Sequence, residues 1–229
     1  MTERRAYAQT GRLSDGRFGT EVLLIRHGES APVVPGTPES LDPPLSEAGR
    51  QQAAALARRL QGRSLDGVYA SDLARARQTA ELLAAPHALD VAIRPDLREV
   101  HLGDWEEGEF RRRAATGDPE FLAFITAGRW EVIPGAEADE AVRDRIHAAC
   151  ADLAAAHAGG SVAVVCHGGV INAWLARQLG SHRSMVVSID NASVTSLRTD
   201  GERWLVLAVN DTHHLGDPLL RTGTDDESP

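Results

Sequence analysis

Two short apolar runs, each leading into a histidine and a glycine, are the most informative pattern in the chain. Both are typical of strands that are buried on their two faces. The first is residues 22–25, followed by Arg26-His27-Gly28, and the second is residues 162–165, followed by Cys166-His167-Gly168. The carboxyl ends of parallel strands meet at one edge of an α/β sheet, so His27 and His167 are expected to face the same crevice.

The rest of the chain alternates between strand-like and helix-like periods, which predicts an α/β fold. Further strands are predicted at residues 67–70, 91–93, 186–189, 194–198 and 204–209, with a turn at Asp200-Gly201 between the last two. Helices are predicted after Ser46 as N-cap, over residues 72–85 with Ser71 as N-cap, through Val142 to Leu153 before Gly159-Gly160, and over residues 170–179.

The organisation along the chain favours one domain over residues 21–215. Residues 1–20 are polar and are expected to form a flexible extension, and residues 216–229 an acidic flexible tail. Residues 31–44 are proline-rich and aperiodic, which indicates a loop over the site. Residues 95–135 mix aromatic and charged side chains, and we expect an insertion with one or two short helices over the carboxyl edge of the sheet.

The charge balance bears on the partners of the protein. A net charge of −9 argues against non-specific binding to nucleic acid, which needs a broad basic surface. The chain contains no lysine, so any local positive field comes from arginine. Such a field inside an acidic protein points to a small anionic ligand.

The two cysteines and the apolar segments bear on location. Cys150 and Cys166 lie in apolar patterns without disulfide or zinc spacing, and are expected to be buried thiols in a reducing compartment. No amino-terminal apolar segment resembles a secretory signal, and no apolar run is long enough to cross a bilayer. We expect a cytoplasmic protein that does not bind membranes, and the sequence leaves a homodimer open.

The residues around the first histidine suit phosphoryl transfer, which needs a nucleophile and positive donors around the phosphoryl oxygens. His27 is the candidate nucleophile, and it is expected to be neutral because flanking guanidiniums lower its pKa. Arg26 and Arg75 are candidate phosphate ligands, since a guanidinium fork matches phosphate geometry. His167 can donate a further hydrogen bond.

Glycines at the two strand ends complete the predicted anion site. Gly28 and Gly168 would let the backbone approach the phosphate closely. Arg75 is preferred over Arg77, because it stands in the first turn of a helix that follows a strand. Arg77 is interpreted as half of a surface ion pair with Glu81.

The proton donor is expected to be a carboxylic acid near the arginines. Glu99 follows a strand and lies between apolar Leu97 and Val100, so partial burial would raise its pKa. Glu106 and Glu107 are the alternatives.

These segments occur together in the order typical of the histidine phosphatase superfamily, and the chain resembles its phosphoglycerate mutase-like branch. The matching segments are Leu24-Ile25-Arg26-His27-Gly28-Glu29, Leu45-Ser46-Glu47-Ala48-Gly49-Arg50-Gln51, residues 71–80, Glu99 with Gly103-Asp104-Trp105, and Val165-Cys166-His167-Gly168-Gly169. The resemblance implies a three-layer α/β/α fold with a mostly parallel central sheet between helices. It implies a phosphohistidine at His27 in a pocket of Arg26, Arg75 and His167. It further implies that Glu99 acts as the acid and later the base, and that no metal or other cofactor is needed.

The chain also departs from the family pattern. Many relatives carry an asparagine shortly after the catalytic histidine; here it is missing, and Ser30 or Thr37 are the candidate substitutes. The longer substrate-binding segments of the mutases are absent too, and Arg111-Arg112-Arg113 is not taken as their equivalent. These differences favour a phosphatase over a mutase.

The leading hypothesis is therefore a metal-independent phosphomonoesterase that acts on a small phosphorylated metabolite and releases inorganic phosphate. The alternatives are a cofactor-dependent phosphoglycerate mutase, a phosphoprotein phosphatase, and a non-catalytic module that binds a phosphorylated ligand. Glu29 is expected to fix its loop, and residues 210–214 to give structural support near the site.

Overall fold

One six-stranded sheet forms the middle of the protein in the computed structural model, which describes residues 19–216. Its strands are β1 (Thr20–Arg26), β2 (Gly67–Ala70), β3 (Val91–Ile93), β4 (Ser161–Cys166), β5 (Val194–Thr199) and β6 (Trp204–Asp211). Across the sheet they are ordered β3-β2-β4-β1-β5-β6. The first four positions in this order are mutually parallel, and β5 runs antiparallel to β1 and β6 antiparallel to β5.

Helices flank the sheet and fill the predicted insertion. They are α1 (Glu47–Leu60), α2 (Ala74–Ala84), α3 (Glu109–Thr116), α4 (Pro119–Ala127), α5 (Asp139–Ala156) and α6 (Gly168–Gln178). Short 3-10 turns lie at Pro38–Ser40, Ala85–His87, Pro95–Leu97, Gly103–Trp105 and Trp130–Val132. Both α3 and α4 fall inside residues 95–135, where one or two short helices were expected.

The apolar runs of β1 and β4 are continuous because both faces of each strand are covered. The strands pair in register, with Leu23 opposite Ala163 and Leu24 opposite Val164, and all four side chains are buried. Leu24 and Val164 belong to the core that contains α5 and α6, whereas Leu23 and Ala163 belong to the core that contains α1 and α2. This arrangement confirms the three-layer α/β/α fold with a mostly parallel sheet.

The start of α1 lies directly against the backbone that follows β1. The Ser46 side chain accepts a hydrogen bond from Gly49 N at 2.9 Å, which confirms Ser46 as the N-cap. A Cβ atom at Gly28 would lie 2.5 Å from the Gly49 carbonyl oxygen, so only glycine fits there. The close approach expected at Gly28 is thus to a helix of the protein itself.

The aromatic side chains of the insertion pack on one another. Ring centroids within the cluster of Trp105, Phe110, Phe121, Phe124 and Trp130 lie 5.0 to 6.4 Å apart. Trp105, Phe124 and Trp130 are buried, and Phe110 and Phe121 are partly buried against them. The cluster therefore anchors the insertion to the core beside α5 and α6.

The predicted strand at residues 186–189 is wrong. This segment is irregular, and its backbone binds side chains rather than a neighbouring strand. Asn172 of α6 accepts hydrogen bonds from Val186 N and Val187 N, both at 2.9 Å, and donates to the Val187 carbonyl oxygen. A polar partner distant in sequence thus replaces the strand ladder.

Ser71 is not the cap of α2. The helix begins at Ala74, and Ala74 N donates to the carboxylate of Asp42 at 2.7 Å. The Ser71 hydroxyl instead lies 2.9 Å from His167 Nε2. The carboxylate that binds the helix start comes from the loop of residues 31–44, which ties this loop to α2.

The predicted extension and tail fall outside the described residues, apart from residues 19, 20 and 216. Thr20 is the first residue of β1. No helix within residues 19–216 has the length and apolar character needed to cross a membrane.

Candidate active site

Three polar side chains follow the carboxyl ends of the adjacent strands β2, β4 and β1. They are Ser71, His167 and His27, and all three are buried. The imidazole rings of His27 and His167 lie 5.0 Å apart between centroids, at an interplanar angle of 60°. The structure therefore brings together the two histidines that the strand patterns placed at one edge.

The hydrogen bonds of His27 determine its tautomer. Nδ1 lies 2.6 Å from the Gly28 carbonyl oxygen, and Nε2 lies 3.2 Å from Arg75 Nε. A carbonyl oxygen can only accept, so Nδ1 carries the hydrogen, and Nε2 offers a lone pair toward Arg75. The His27 carbonyl oxygen is itself held by Asn191 Nδ2 at 3.0 Å and by Ala192 N at 3.2 Å.

His27 is uncharged in this setting. Burial in the first place, and then the charges of Arg75 and Arg26, hold its pKa well below the ordinary value. The lowered pKa was expected from the arginines, and burial is the larger cause. A neutral imidazole whose Nε2 carries a lone pair, here accepting from Arg75 Nε, is the form that can attack an electrophile.

His167 has one ring nitrogen bound and one available. Nε2 bonds with the Ser71 hydroxyl, whereas Nδ1 is buried without a hydrogen-bond partner among the described residues. Burial lowers the pKa of His167 well below its ordinary value, and the charge of Arg75 adds to this effect. Buried polar atoms are nearly always bonded, so an unpaired Nδ1 at this edge suits a bound ligand.

The two predicted phosphate ligands flank the histidines. Arg26 Nη1 donates to the Ile189 carbonyl oxygen, and its Nε atom is buried without a partner within residues 19–216. Arg75 is buried; its Nε donates to His27, and its Nη1 has a long contact, 3.9 Å, with the Asp42 carboxylate. Both guanidiniums thus retain donors for an anion in the crevice.

Arg77, in contrast, lies on the exposed side of α2. The predicted ion pair with Glu81 is wrong. Arg77 Nη1 donates instead to the Asp72 carbonyl oxygen at 3.0 Å. The side chain turns back toward the amino end of the helix, where backbone oxygen is available.

Glu99 reaches the same edge from the segment after β3. Its carboxylate accepts hydrogen bonds from Val100 N at 2.9 Å and from Gly169 N at 3.3 Å. The residue is half-buried by surface area, and desolvation raises its pKa, against the opposing effects of those two amides and of Arg75 and Arg26. Of the alternatives, Glu106 binds the Leu102 amide, and Glu107 is exposed in a turn.

The amino end of α6 completes the predicted set. Gly168 is the first residue of this helix, and a Cβ atom there would lie 3.5 Å from Arg26 Nε. The unpaired guanidinium nitrogen therefore lies beside the helix terminus, whose partial positive charge also attracts anions.

Several residues of the site were not predicted. Thr79 Oγ1 accepts from Gly28 N at 3.0 Å and donates to the Arg75 carbonyl oxygen at 2.8 Å, which joins α2 to the loop after β1. Asp42 and Ser71 have the contacts described above. A sequence signal existed only for Ser71, which directly follows β2 as the two histidines follow β1 and β4.

Arg111 of α3 is the third arginine that acts on the site. Its Nη2 donates to Ser30 Oγ at 2.7 Å, and its charge lowers the pKa of His27. Between the two candidates for the missing asparagine, Ser30 faces this arginine, while the Thr37 hydroxyl donates to the Val34 carbonyl oxygen within its own exposed turn.

Two further expectations concern neighbouring residues. The Glu29 carboxylate accepts from the Ser46 hydroxyl at 2.6 Å, so Glu29 fixes its loop to α1 as expected. Asn210 binds the backbone and the carboxylate of Asp190 at 2.7 and 2.9 Å, which supports the loop beneath Arg26.

Within residues 19–216, no group of three or more His, Cys, Asp or Glu side chains could hold a metal ion.

Comparison with known proteins identifies the family. The model of the histidine phosphatase superfamily (branch 1) matches residues 22–212. Phosphoglycerate mutase-like protein 4 of Arabidopsis thaliana is 37% identical over 201 residues, covering 85% of this chain and 86% of that protein. The metal-independent phosphoserine phosphatase of the same plant is 33% identical over 218 residues, covering 91% and 89%. The structure of a mycobacterial glucosyl-3-phosphoglycerate phosphatase matches with a TM-score of 0.70 and 31% identity, covering 83% of this chain and 98% of that one. The chain, with its two strand-end histidines and its α/β/α layers, belongs to branch 1 of the histidine phosphatase superfamily.

Proposed function

We propose that the protein is a metal-independent phosphomonoesterase that hydrolyses a small phosphorylated metabolite through a phosphohistidine at His27. The observation that carries this proposal is the lone pair of a neutral His27 Nε2 beside donors that lack partners in the protein. Those donors are Arg26 Nε and His167 Nδ1, the latter in the neutral tautomer that carries its hydrogen on Nδ1. A phosphoryl group in the crevice would satisfy them.

In the first step, His27 Nε2 attacks phosphorus and the bond from phosphorus to the ester oxygen breaks. The equatorial oxygens are bound by Arg26, Arg75 and the amino end of α6, which stabilise the charge of the transition state. Burial raises the pKa of Glu99 and so favours its protonated form, which gives its proton to the departing alkoxide.

In the second step, a water molecule attacks the phosphorus of the phosphohistidine. Glu99, now a carboxylate, accepts a proton from that water, and the bond from phosphorus to His27 Nε2 breaks. Inorganic phosphate leaves, and His27 returns to its neutral form. His167 serves throughout as a hydrogen-bond donor to a phosphoryl oxygen, oriented by Ser71.

A phosphatase is favoured over a mutase by the loop over the site. Residues 31–44 contain no arginine, so this loop offers no cationic contact that would retain a substrate after phosphoryl transfer. Two relatives named above as phosphatases agree with this choice, while the mutase-like relative keeps isomerisation as the second candidate. We place the enzyme in a reducing compartment such as the cytoplasm, because Cys150 and Cys166 are free and buried.

The deciding experiment measures phosphate release from p-nitrophenyl phosphate by the wild-type protein and by His27→Ala. The variant should lose release while keeping its fold, and wild-type protein quenched during turnover should carry an acid-labile, alkali-stable phosphoryl adduct. His182→Ala removes an exposed histidine and is the matched control. Chelators should leave the rate unchanged.

Two results would contradict the proposal. One is turnover by His27→Ala at the wild-type rate, or an adduct that survives acid, which indicates a different nucleophile. The other is interconversion of 2- and 3-phosphoglycerate far faster than hydrolysis on the same preparation, which indicates the mutase.

A further inference from the structure

The side chain of Gln52 is fully buried, although its neighbours on the inner face of α1 are apolar. Gln52 is 0% exposed, as are Ala53 and Leu56 beside it. A buried amide is costly unless its polar atoms are bonded, so a contact should account for this residue. The contact lies outside α1, because Gln52 Oε1 accepts a hydrogen bond from Glu29 N at 2.8 Å. The side chain therefore connects α1 to the backbone that follows the nucleophile.

The peptide group that Gln52 binds is the one that holds the ring of His27. Glu29 N and the Gly28 carbonyl oxygen belong to the same peptide bond, and they point to opposite sides of it because the bond is trans. The oxygen lies 2.6 Å from His27 Nδ1, while the N–H donates to Gln52. Imidazole, peptide and side-chain amide thus form a continuous chain of hydrogen bonds. In such a chain, each bond polarises and strengthens the next.

The tautomer of His27 depends on this peptide during the attack on phosphorus. In the free protein, His27 Nε2 accepts from Arg75 Nε, so both ring nitrogens are engaged. Nε2 must leave that contact to form its bond with phosphorus, and the ring then gains positive charge. Burial and the neighbouring arginines lower the pKa of His27 and oppose that charge, whereas the bond to the Gly28 carbonyl favours it. The contact at Nδ1 is therefore the one that supports the reacting ring.

Different elements hold the two peptides on either side of Gly28. In the peptide before it, Thr79 accepts from Gly28 N at 3.0 Å. Asn191 donates to the His27 carbonyl oxygen of that same peptide at 3.0 Å. The peptide after Gly28 is bound by Gln52. Because glycine restricts the rotation of its peptides very little, the direction of the Gly28 carbonyl depends on such contacts.

We propose that Gln52 is a positioning residue for the nucleophile. By accepting from Glu29 N, it orients and polarises the peptide whose carbonyl oxygen keeps the hydrogen of His27 on Nδ1, and so leaves the Nε2 lone pair for phosphorus. A methionine of similar size would fill the same space but could not accept the hydrogen bond. This inference rests on the proposed phosphatase function and adds a residue that acts without touching the substrate.

The test compares variants that differ in whether they keep the acceptor. Gln52→Met fills the space without an acceptor, Gln52→Asn has an amide that is one methylene shorter, and Gln52→Glu keeps an oxygen at the same reach. The measured quantity is the rate of p-nitrophenolate release in the first turnover of p-nitrophenyl phosphate, followed by stopped flow. We expect the first two variants to slow this rate by ~10-fold, and Gln52→Glu to stay within ~3-fold of the wild-type protein, on the scale of one hydrogen bond.

Two further readouts separate positioning from a purely structural role. The proton resonance of His27 Hδ1 reports the bond to Gly28 directly. It should move upfield in Gln52→Met and Gln52→Asn, because the bond weakens, but not in Gln52→Glu. The dissociation constant of inorganic phosphate, measured by calorimetry, should stay unchanged, since the anion is expected to bind Arg26 and Arg75.

Thr20→Val is the matched control, because it removes buried hydrogen bonds at the opposite end of β1. Thr20 Oγ1 donates to the Ala154 carbonyl oxygen and accepts from Gly159 N, both at 3.1 Å. This variant should change neither the first-turnover rate nor the Hδ1 resonance. Should Gln52→Met not fold, Gln52→Asn, which retains a polar group, gives the same comparison.

The outcomes separate this inference from the function on which it rests. An unchanged rate or an unchanged Hδ1 resonance in Gln52→Met and Gln52→Asn would overturn the positioning role and leave the phosphatase standing. A phosphate affinity that falls together with the rate would do the same, because it would show a general loss of structure. If the wild-type protein transfers no phosphoryl group, the proposed function fails, and the Hδ1 resonance alone then decides whether Gln52 positions the ring.

Discussion

At the scale of single residues, opposing electrostatic effects act on the pKa of Glu99. Desolvation favours its protonated form, while two backbone amides and the charges of Arg75 and Arg26 favour the carboxylate. The net shift of its pKa is upward, so the group can hold a proton where an exposed glutamate would have lost it. These amides and arginines stabilise the carboxylate form that the second step requires.

Glu99→Gln should therefore affect esters according to their leaving groups. For an alkyl phosphate, whose leaving oxygen needs a proton, we expect kcat/KM to fall by ~10²-fold or more. For p-nitrophenyl phosphate, whose leaving group departs as a stable anion, the fall should be much smaller. Stopped assays on both esters, with Glu106→Gln as the control, check this.

The pH profile gives a second readout of the same variant. The acid must be protonated, so wild-type kcat/KM on the alkyl ester should decrease as pH rises through the raised pKa of Glu99. Glu99→Gln should lack that alkaline decrease. An equal loss on both esters, or an unchanged pH profile, would remove Glu99 from the role of acid.

A site residue that directly follows a strand can be predicted from the sequence, whereas a side chain that reaches the site from a distant segment cannot. His27 and His167 are fixed at the sheet edge by strands that the apolar pattern reveals. Arg111 stands in a run of three arginines, and nothing in the local pattern shows which of them faces the site. Only the contact with Ser30, 81 residues away, decides it.

At the scale of elements, the same distinction explains which predictions held. Strands β1 and β4 are visible in the sequence because burial on both faces makes their apolar runs continuous. The segment at residues 186–189 has a similar apolar composition, yet its amides bind the side chain of Asn172. The start of α2 is likewise bound by Asp42 from a distant loop, so a local search for a capping residue chose Ser71 instead.

At the scale of the whole molecule, two apolar cores leave one edge of the sheet for the ionisable groups. Two histidines are buried there in neutral form, because burial and the neighbouring arginines disfavour the charge that a proton would bring. The folded state therefore disfavours protonation of both histidines. At acidic pH this should lower the free energy of unfolding of the whole domain.

We expect the free energy of unfolding to fall as the solution becomes acidic. Below about pH 6.5 the unfolded chain protonates His27 and His167, whereas the folded protein, with both pKa values lowered, does not. Each contributes a loss of about 1.4 kcal/mol per pH unit below that point, until its folded pKa is reached. Glu99 acts in the opposite direction, because its raised pKa makes the folded state take up a proton at a higher pH than the unfolded chain does.

Urea unfolding between about pH 8 and pH 5.5 measures this slope. His167→Gln, which removes one of the two groups, should show a shallower dependence than the wild-type protein, and the exposed His182→Gln should not. Identical slopes for wild-type protein and His167→Gln would mean that the buried histidines do not govern acid stability.

The hydrogen bond between His27 Nδ1 and the Gly28 carbonyl oxygen also has a stereochemical consequence. Phosphorylated histidine exists as two positional isomers, and the nitrogen engaged by Gly28 is closed to one of them. The adduct should consist solely of the tele isomer, which the phosphorus chemical shift of the trapped protein distinguishes from the pros isomer. A pros signal would show that the imidazole ring of His27 rotates and exposes Nδ1 before it reacts. An antibody selective for the tele form would then measure, in a crude extract, the fraction of this enzyme that is present as the phosphohistidine intermediate.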